Sequence, residues 1–527
     1  MNPLPQPHPL PLARFLPAAM LAASAPLLLL GCSDPEPSAL PLAQTAESPS
    51  STALATAMDR EIWEIHRIGG QRVGYGRTSV QTRTVDGRPI LRIEGDSQMD
   101  FTRAGQQVSL GVSFASLESP EGGLIEFETV LSQAGNTIQR TTGKVTGPSL
   151  LVEVEIQGKK SSERLPWSRD FGGLYATELS LLRAPLKPGQ RRIIRSLIPG
   201  LNQLGTSDLV ARDFEEVELL DGSRRLLHID AVTTTADGQQ LRAVLWTDES
   251  GDILRRFEEA MQMESLRAGK DEALAKTDQA RFDLVLGLSV PVDRRIEKPL
   301  ETSEIHYRLV LDGRNPAEVF TPTAYQQVTP AGDGAAEVTV FGASAGAKPP
   351  ASPADPPTAL ERQPNNVIQS DDPKIQAIAR SIEPGESDPW RVAVALEREA
   401  SRRIRSVNYS QAFATAAEVV ESGSGDCTEH AVLLAALARA RGVPARVVIG
   451  LVYVEEAGQP AFGYHMWNEL YVGDVWVPFD ATRPRGGASA AYLRLGASSL
   501  QGVSALSSFL PVAQVAGRLK ITIKEVK

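Results

Sequence analysis

Cysteine is scarce in this 527-residue chain, which has two, Cys32 and Cys427. No disulfide framework can therefore hold the fold, and stability must come from apolar cores, for which a 42% hydrophobic content suffices. The six histidines are scattered and, apart from His430 beside Cys427, lack Cys or His partners at zinc-ligand spacing, so no metal and no other cofactor is expected. Positive charge is not in excess either. A net charge of −10 with dispersed basic residues argues against nucleic-acid binding, which usually shows a basic face. The N-terminal apolar run, Phe15 to Leu30, is about 16 residues and falls short of the about 20 that a membrane-spanning helix needs.

What that run does have is a setting. Arg14 precedes it and Leu29-Leu30-Gly31-Cys32 follows, giving a short charged region, an apolar region and a small residue before cysteine. This resembles a bacterial lipoprotein signal. The resemblance implies cleavage before Cys32, lipidation of Cys32, and an exported, membrane-anchored protein facing the periplasm. Ser33 in the next position resembles signals sorted to an outer membrane. An ordinary cleaved signal and an uncleaved anchor are the alternatives. With Cys32 lipidated, Cys427 is the one thiol of the mature chain, and a free thiol in an oxidising compartment is a liability without a task.

Cys427 stands in Ser424-Gly425-Asp426-Cys427-Thr428-Glu429-His430, and His465 and Asp480 follow it. Asp426 and Glu429 predict a capping box, and the apolar run Ala431 to Ala438 predicts a buried helix ended by Gly442 and Pro444. Cys427 is thereby placed at a helix N-terminus, where N–H groups and the positive dipole end favour thiolate. A small apolar core residue is the bland alternative. Val447 to Val454, His465 to Val472 and Val475 to Asp480 read as strands, the last two joined by Gly473-Asp474, a two-residue hairpin signal. In that register Val472 faces Val475 and His465 faces Thr482, so Asp480 shares a sheet face with His465, about 7–8 Å away between backbones. A one-residue slip would separate them. Thiol, imidazole and carboxylate together supply a nucleophile, a base and an orienting group for acyl transfer. His430, on the same helix side as Cys427, reads as structural or substrate-facing. The Cys427 N–H is the natural first oxyanion donor. A second is not identifiable, although Trp390, Asn408 and Tyr409 lie upstream in segments expected nearby.

From Gly425 through His430, Ala436 to Arg446, His465 to Glu469 and Trp476 to Asp480, the chain resembles the transglutaminase-like superfamily, which is related in layout to papain-like proteases. The resemblance covers roughly a quarter of the chain. It implies Cys427 as nucleophile, His465 as its base and Asp480 as orienter of the imidazole. The family includes cross-linking enzymes, peptidases, amidases and inactive binding members, so the fold alone does not set the reaction.

The expected organisation is multidomain: a signal at 1–31, a Ser/Pro/Ala-rich tether at 32–57, an N-terminal all-β antiparallel region at 58–341, a Pro/Ala-rich linker at 342–370, and a C-terminal α+β transglutaminase-like domain with a C-terminal strand at 371–527. In the β-rich half, Trp63 to Ile68 and Val73 to Val80 read as a hairpin, as do the segments around Leu241 to Leu245 and Ile253 to Arg256. Ser303 to Leu311 and Ala335 to Phe341 suggest a small further β unit. The region resembles the curved sheets of periplasmic lipoprotein-handling domains, which wrap an apolar cavity; a plain sandwich or spacer is the alternative. Three functions follow: a thiol enzyme acting through a thioester on peptide or amide bonds of envelope substrates, with hydrolysis favoured over cross-linking; a non-catalytic binding or scaffold protein; and a lipid or peptide carrier using the β half, which an apolar cavity there would favour.

Overall fold

The computed structural model describes residues 59–527 except 104, 200, 237, 276–288, 333, 351–354, 410–413, 457 and 502–509. The signal, Cys32 and the tether lie outside the described residues.

Alternating short-range polarity and frequent turn residues build a large N-terminal antiparallel sheet. Its fifteen strands comprise two meanders, one from Arg60–Ile68 out to Lys159–Pro166 and the other from Arg191–Ile198 to Met263–Ala268, with Phe171–Gly172 added in parallel beside Arg191–Ile198 at the edge. The first strand of one pairs with the last of the other, Trp63 opposite Ala268 and Ile68 opposite Met263. Both expected hairpins are present, Arg60–Ile68 with Gln71–Val85 and Gln240–Thr247 with Ile253–Glu258. A cavity of about 230 Å³ in this sheet is lined by Glu64, His66, Arg77, Glu178, Arg256 and Glu258 among others. Ile62, Met99, Val112, Phe114, Leu174 and Met263 line it as well, so charged and apolar groups share the cavity.

One buried carboxyl in this half makes its pH response readable. Glu118 is 0% exposed, and its Oε1 accepts the Ser116 hydroxyl at 2.8 Å and the Tyr175 N–H at 3.4 Å. Burial pushes the acid from 4.5 up to about 7 against those donors. Its neutral form is therefore fully tolerated below the unfolded value, and stability declines as pH rises from there to about 7. Glu118→Gln should match the wild type near pH 4.5 and exceed it by roughly 2–3 kcal/mol at pH 8, measured as urea unfolding at the two pH values.

The C-terminal region packs helices against a second antiparallel sheet. Ala445–Glu456 pairs with Gln459–Val472 on one side and Tyr492–Ser498 on the other, and Val475–Phe479 pairs with Gln459–Val472. The helices Pro373–Ser381, Pro389–Arg403 and Ala416–Ser422 surround Cys427–Ala440, whose apolar run is almost wholly buried. A further four-stranded sheet takes Glu304–Leu311, Gln326–Pro330 and Ala335–Phe341 from before the linker and Leu519–Val526 from the end of the chain.

The Pro/Ala-rich stretch is held where it is described. Asp355 pairs with Arg446 at 2.8 Å, the Trp476 indole N–H donates to the Asp355 carbonyl at 2.8 Å, and Val367 and Ile368 are buried. Asn366 donates to Ser161 Oγ at 3.0 Å on the last strand of the N-terminal sheet. Proline composition predicts stiffness, but Trp476 and Arg446 on the neighbouring sheet supply the docking partners that composition does not reveal.

Candidate active site

The start of the cysteine helix is locally encoded. Asp426 Oδ1 accepts the Thr428 N–H at 2.8 Å while Glu429 Oε2 accepts the Asp426 N–H at 2.9 Å, the reciprocal capping box expected from the sequence. A Cβ on Gly425 would come within 2.4 Å of the Glu429 Cβ, so this close approach requires glycine. Cys427 opens the helix and is 1% exposed.

The histidine and aspartate come from the hairpin. Gly473 and Asp474 both take positive φ, 59° and 64°, matching the twist a two-residue connection needs. Val472 then faces Val475 and Asn468 faces Phe479, the register read from the sequence. The ladder stops at Phe479. Beyond it the chain turns, and Asp480 Oδ1 accepts the Thr482 N–H at 2.9 Å and the Thr482 hydroxyl at 2.6 Å. The turn swings the carboxylate to His465, whose Nε2 donates to Asp480 Oδ2 at 2.8 Å. His465 lies against the rings of Trp467 and Tyr492, with centroids 6.1 and 6.0 Å away. The Met466 N–H, one residue along that strand, favours the charged form of the Cys427 sulfur. Thiol and imidazole thus belong to one buried locus.

Three groups that motif reasoning passed over support the pair. The Tyr492 hydroxyl donates to Asp480 Oδ2 at 2.7 Å. Glu397, in the middle of the Pro389–Arg403 helix, is 0% exposed and accepts the Asp480 N–H at 3.1 Å and the Gly486 N–H at 2.7 Å. Burial pushes its carboxyl up to about 7, opposed by those N–H groups. Arg103 reaches the locus from the N-terminal sheet, its Nη2 lying 2.5 Å from Asp426 Oδ2. A glutamate on the inward stripe of an amphipathic helix is the one sequence signal that pointed to any of these.

The remaining expectations resolve individually. The His430 Nδ1–H donates to the Asp426 carbonyl at 2.6 Å, which binds that ring to its own helix. Trp390 packs on Phe479 with ring centroids 5.5 Å apart, and the Asn408 N–H donates to the Gly425 carbonyl at 3.3 Å. The Tyr409 N–H donates to Gln106 Oε1 at 2.8 Å, so it is committed elsewhere than to an oxyanion.

Electrostatics and burial pull apart here. The helix N-terminus favours a thiolate, but burial pushes the Cys427 thiol well above its ordinary value, and Asp426 adds to that while Arg103 and the Met466 N–H oppose it. Burial likewise lowers His465, with Asp480 opposing. For Asp480, burial alone would raise the acid; His465, Arg483 and Thr482 override it and hold it well below the usual carboxylate range.

A cysteine at a helix start set beside a histidine–aspartate pair on an antiparallel hairpin defines a transglutaminase-like core. Residues 376–481 match the family model of the transglutaminase-like superfamily, which places that domain in the C-terminal half. No curated protein matches the chain. Among solved structures, a candidate cysteine protease from Cytophaga hutchinsonii is similar at 16% identity and TM-score 0.26, covering 43% of this chain and 86% of that one. A β-barrel-like protein with a DUF1849 domain from Brucella abortus is similar at 10% identity and TM-score 0.29, covering 40% and 94%. The periplasmic domain of TgpA from Pseudomonas aeruginosa is similar at 17% identity and TM-score 0.23, covering 34% and 91%. At these scores the likenesses carry no argument about activity.

Proposed function

We propose that the chain is an envelope-anchored thiol enzyme that cleaves peptide or amide bonds through a thioester on Cys427. The observation that carries this reading is the buried His465–Asp480 bond of 2.8 Å beside the helix that starts at Cys427. With Nε2 directed to Asp480, the Nδ1 side of the ring is the one to take the thiol proton. Sulfur then attacks the carbonyl carbon, the oxyanion takes the Cys427 N–H, and the imidazolium gives its proton to the departing amine. Water, deprotonated by His465, attacks the thioester and releases the acid and the thiol. Asp480 holds the ring orientation and stabilises its charged form.

Hydrolysis is the favoured outcome because water reaches a thioester unless a site excludes it, whereas transfer needs a bound amine. The substrate class is a peptide or protein of the cell envelope, and the anchor is lipid on Cys32 at the end of the 1–31 signal, with periplasmic exposure. Among the described residues no helix is long and apolar enough to cross a membrane. Incubation with a glutamine-containing peptide and a labelled amine tests the reaction. Free acid released in a Cys427-dependent way is expected; amine incorporation with little acid would replace hydrolysis by transfer. Cys32→Ser should move the protein out of the membrane fraction, and unchanged membrane association would remove the anchor from the proposal.

A further inference from the structure

The hairpin formed by Arg88–Arg103 and Gln106–Glu118 carries two side chains from the N-terminal sheet to the start of the cysteine helix. Arg103, the last residue of its strand, has a wholly buried side chain, as does Asp426, and the two meet at 2.5 Å. Arg103 Nη1 also donates to the Tyr409 carbonyl at 3.5 Å, and Gln106 Oε1 accepts the Tyr409 N–H at 2.8 Å. Tyr409 follows Ser406–Val407, which runs parallel to Ser424–Gly425, the residues leading into Asp426 and Cys427. The hairpin tip therefore grips both chain segments that approach the thiol.

Asp426 serves two ends that conflict. Its carboxylate caps the helix through the Thr428 N–H, yet it places a negative charge one residue from the sulfur. A buried ion pair is a weak source of docking stability compared with apolar contact, so full burial of an arginine at this spot calls for an electrostatic reason. The titratable groups around the helix start are Asp426, Glu429 and His430 of the helix, His465 and Asp480 from the hairpin, and Arg103 from the other half. Glu429 is pushed up by burial and by Asp426, and it adds to the rise at the thiol behind Asp426. Of the two carboxyls that weigh against a thiolate, Asp426 acts the more strongly, and Arg103 is the cation set directly on it.

We propose that Arg103 is a positioning residue of the thiol site, supplied by the N-terminal half, which neutralises Asp426 so that this carboxylate can cap the cysteine helix without suppressing the thiolate. The inference rests on the thiol-enzyme reading for its purpose. It agrees with the directions at the sulfur, where Asp426 raises the thiol and Arg103 lowers it. Ionisation of Cys427 then depends on the docking of the two halves, and anything that draws the hairpin away lowers the fraction of reactive thiolate.

The test is the pH dependence of Cys427 alkylation by iodoacetamide in the full chain carrying Cys32→Ser, with Cys427→Ala as blank. Arg103→Met should move the midpoint up by about one pH unit or more, cutting the rate at neutral pH by about tenfold. Arg103→Lys should recover most of the shift. Asp426→Asn added to Arg103→Met should bring the midpoint back toward the wild type, since no carboxylate then needs neutralising. Asp426→Asn alone should move it below the wild type, and this variant decides the matter if Arg103→Met does not fold. A midpoint unmoved in Arg103→Met, or unmoved in Asp426→Asn when that variant stands alone, overturns the proposal even where melting temperatures change. Alkylation reads ionisation and not turnover, so an inactive protein with the expected shifts would sink the enzyme reading and leave the role of Arg103 standing.

Discussion

Cys427→Ala removes turnover of a peptide or amide substrate, a fall on the order of 10⁴-fold or more, and leaves the fold in place. Both halves of that expectation come from the same position. The sulfur is the only atom there with nucleophilic chemistry, and no neighbouring side chain can take over: His430 is bonded to the Asp426 carbonyl and Thr428 lies on the next helical position. Alanine is a good helix former, and the capping bonds of Asp426 and Glu429 do not involve the thiol. The lost burial of one small group costs about 1 kcal/mol. Rate assays and melting curves on the same preparation check it; full turnover by the variant would end the enzyme reading.

Asp480→Ala should behave differently, because it carries structure as well as chemistry. Its carboxylate receives His465 Nε2–H, the Tyr492 hydroxyl, and the N–H and hydroxyl of Thr482. Truncation leaves several of those buried donors without an acceptor, a loss of about 3 kcal/mol in stability together with a 10²- to 10⁴-fold loss in rate. Asp480→Asn separates the two, keeping shape and acceptor oxygen while removing the charge that orients and stabilises the imidazolium. It should lose less stability than Asp480→Ala and keep little of the rate. Since the carboxyl is held far below 3.8, its contribution to stability is present above that pH and fades as pH falls through the folded value. Acid unfolding of the wild type should therefore lose its steepest limb in Asp480→Asn, and parallel acid limbs in the two proteins would contradict this account.

The parts of the molecule that sequence made legible are those whose cause is local. The capping box at Asp426, the buried helix behind it and the Gly473-Asp474 turn each rest on contacts a few residues apart. The turn then sets the register from Val472 opposite Val475 to Asn468 opposite Phe479, one residue short of Asp480. Where the structure adds something, the cause is a long-range partner. Asp480 reads as the end of a strand, yet Thr482 pulls it out of the ladder into a turn, a competition of an Asx-type bond with sheet pairing. Arg103 is one arginine among many until the hairpin tip meets Asp426, more than three hundred positions away, and no periodicity announces such a meeting. The pairing of Arg60–Ile68 with Met263–Ala268, which joins the two meanders, is of the same kind. The Pro-rich stretch reads as a spacer because composition reports stiffness and says nothing of the surface it lies on.

The four-stranded sheet that borrows Leu519–Val526 has a consequence for how the protein comes into being. Lys527 pairs with Glu304 across 223 residues of sequence, and the whole cysteine-bearing core lies between them. During synthesis the strands around Glu304–Leu311 emerge early and must wait, one side uncovered, until residues 519–526 leave the ribosome. A chain released before that point holds a complete set of reactive groups on an unclosed sheet. The thiol is thus present before the scaffold around it can be finished, and residues 519–526, made well after it, are the ones that close the sheet.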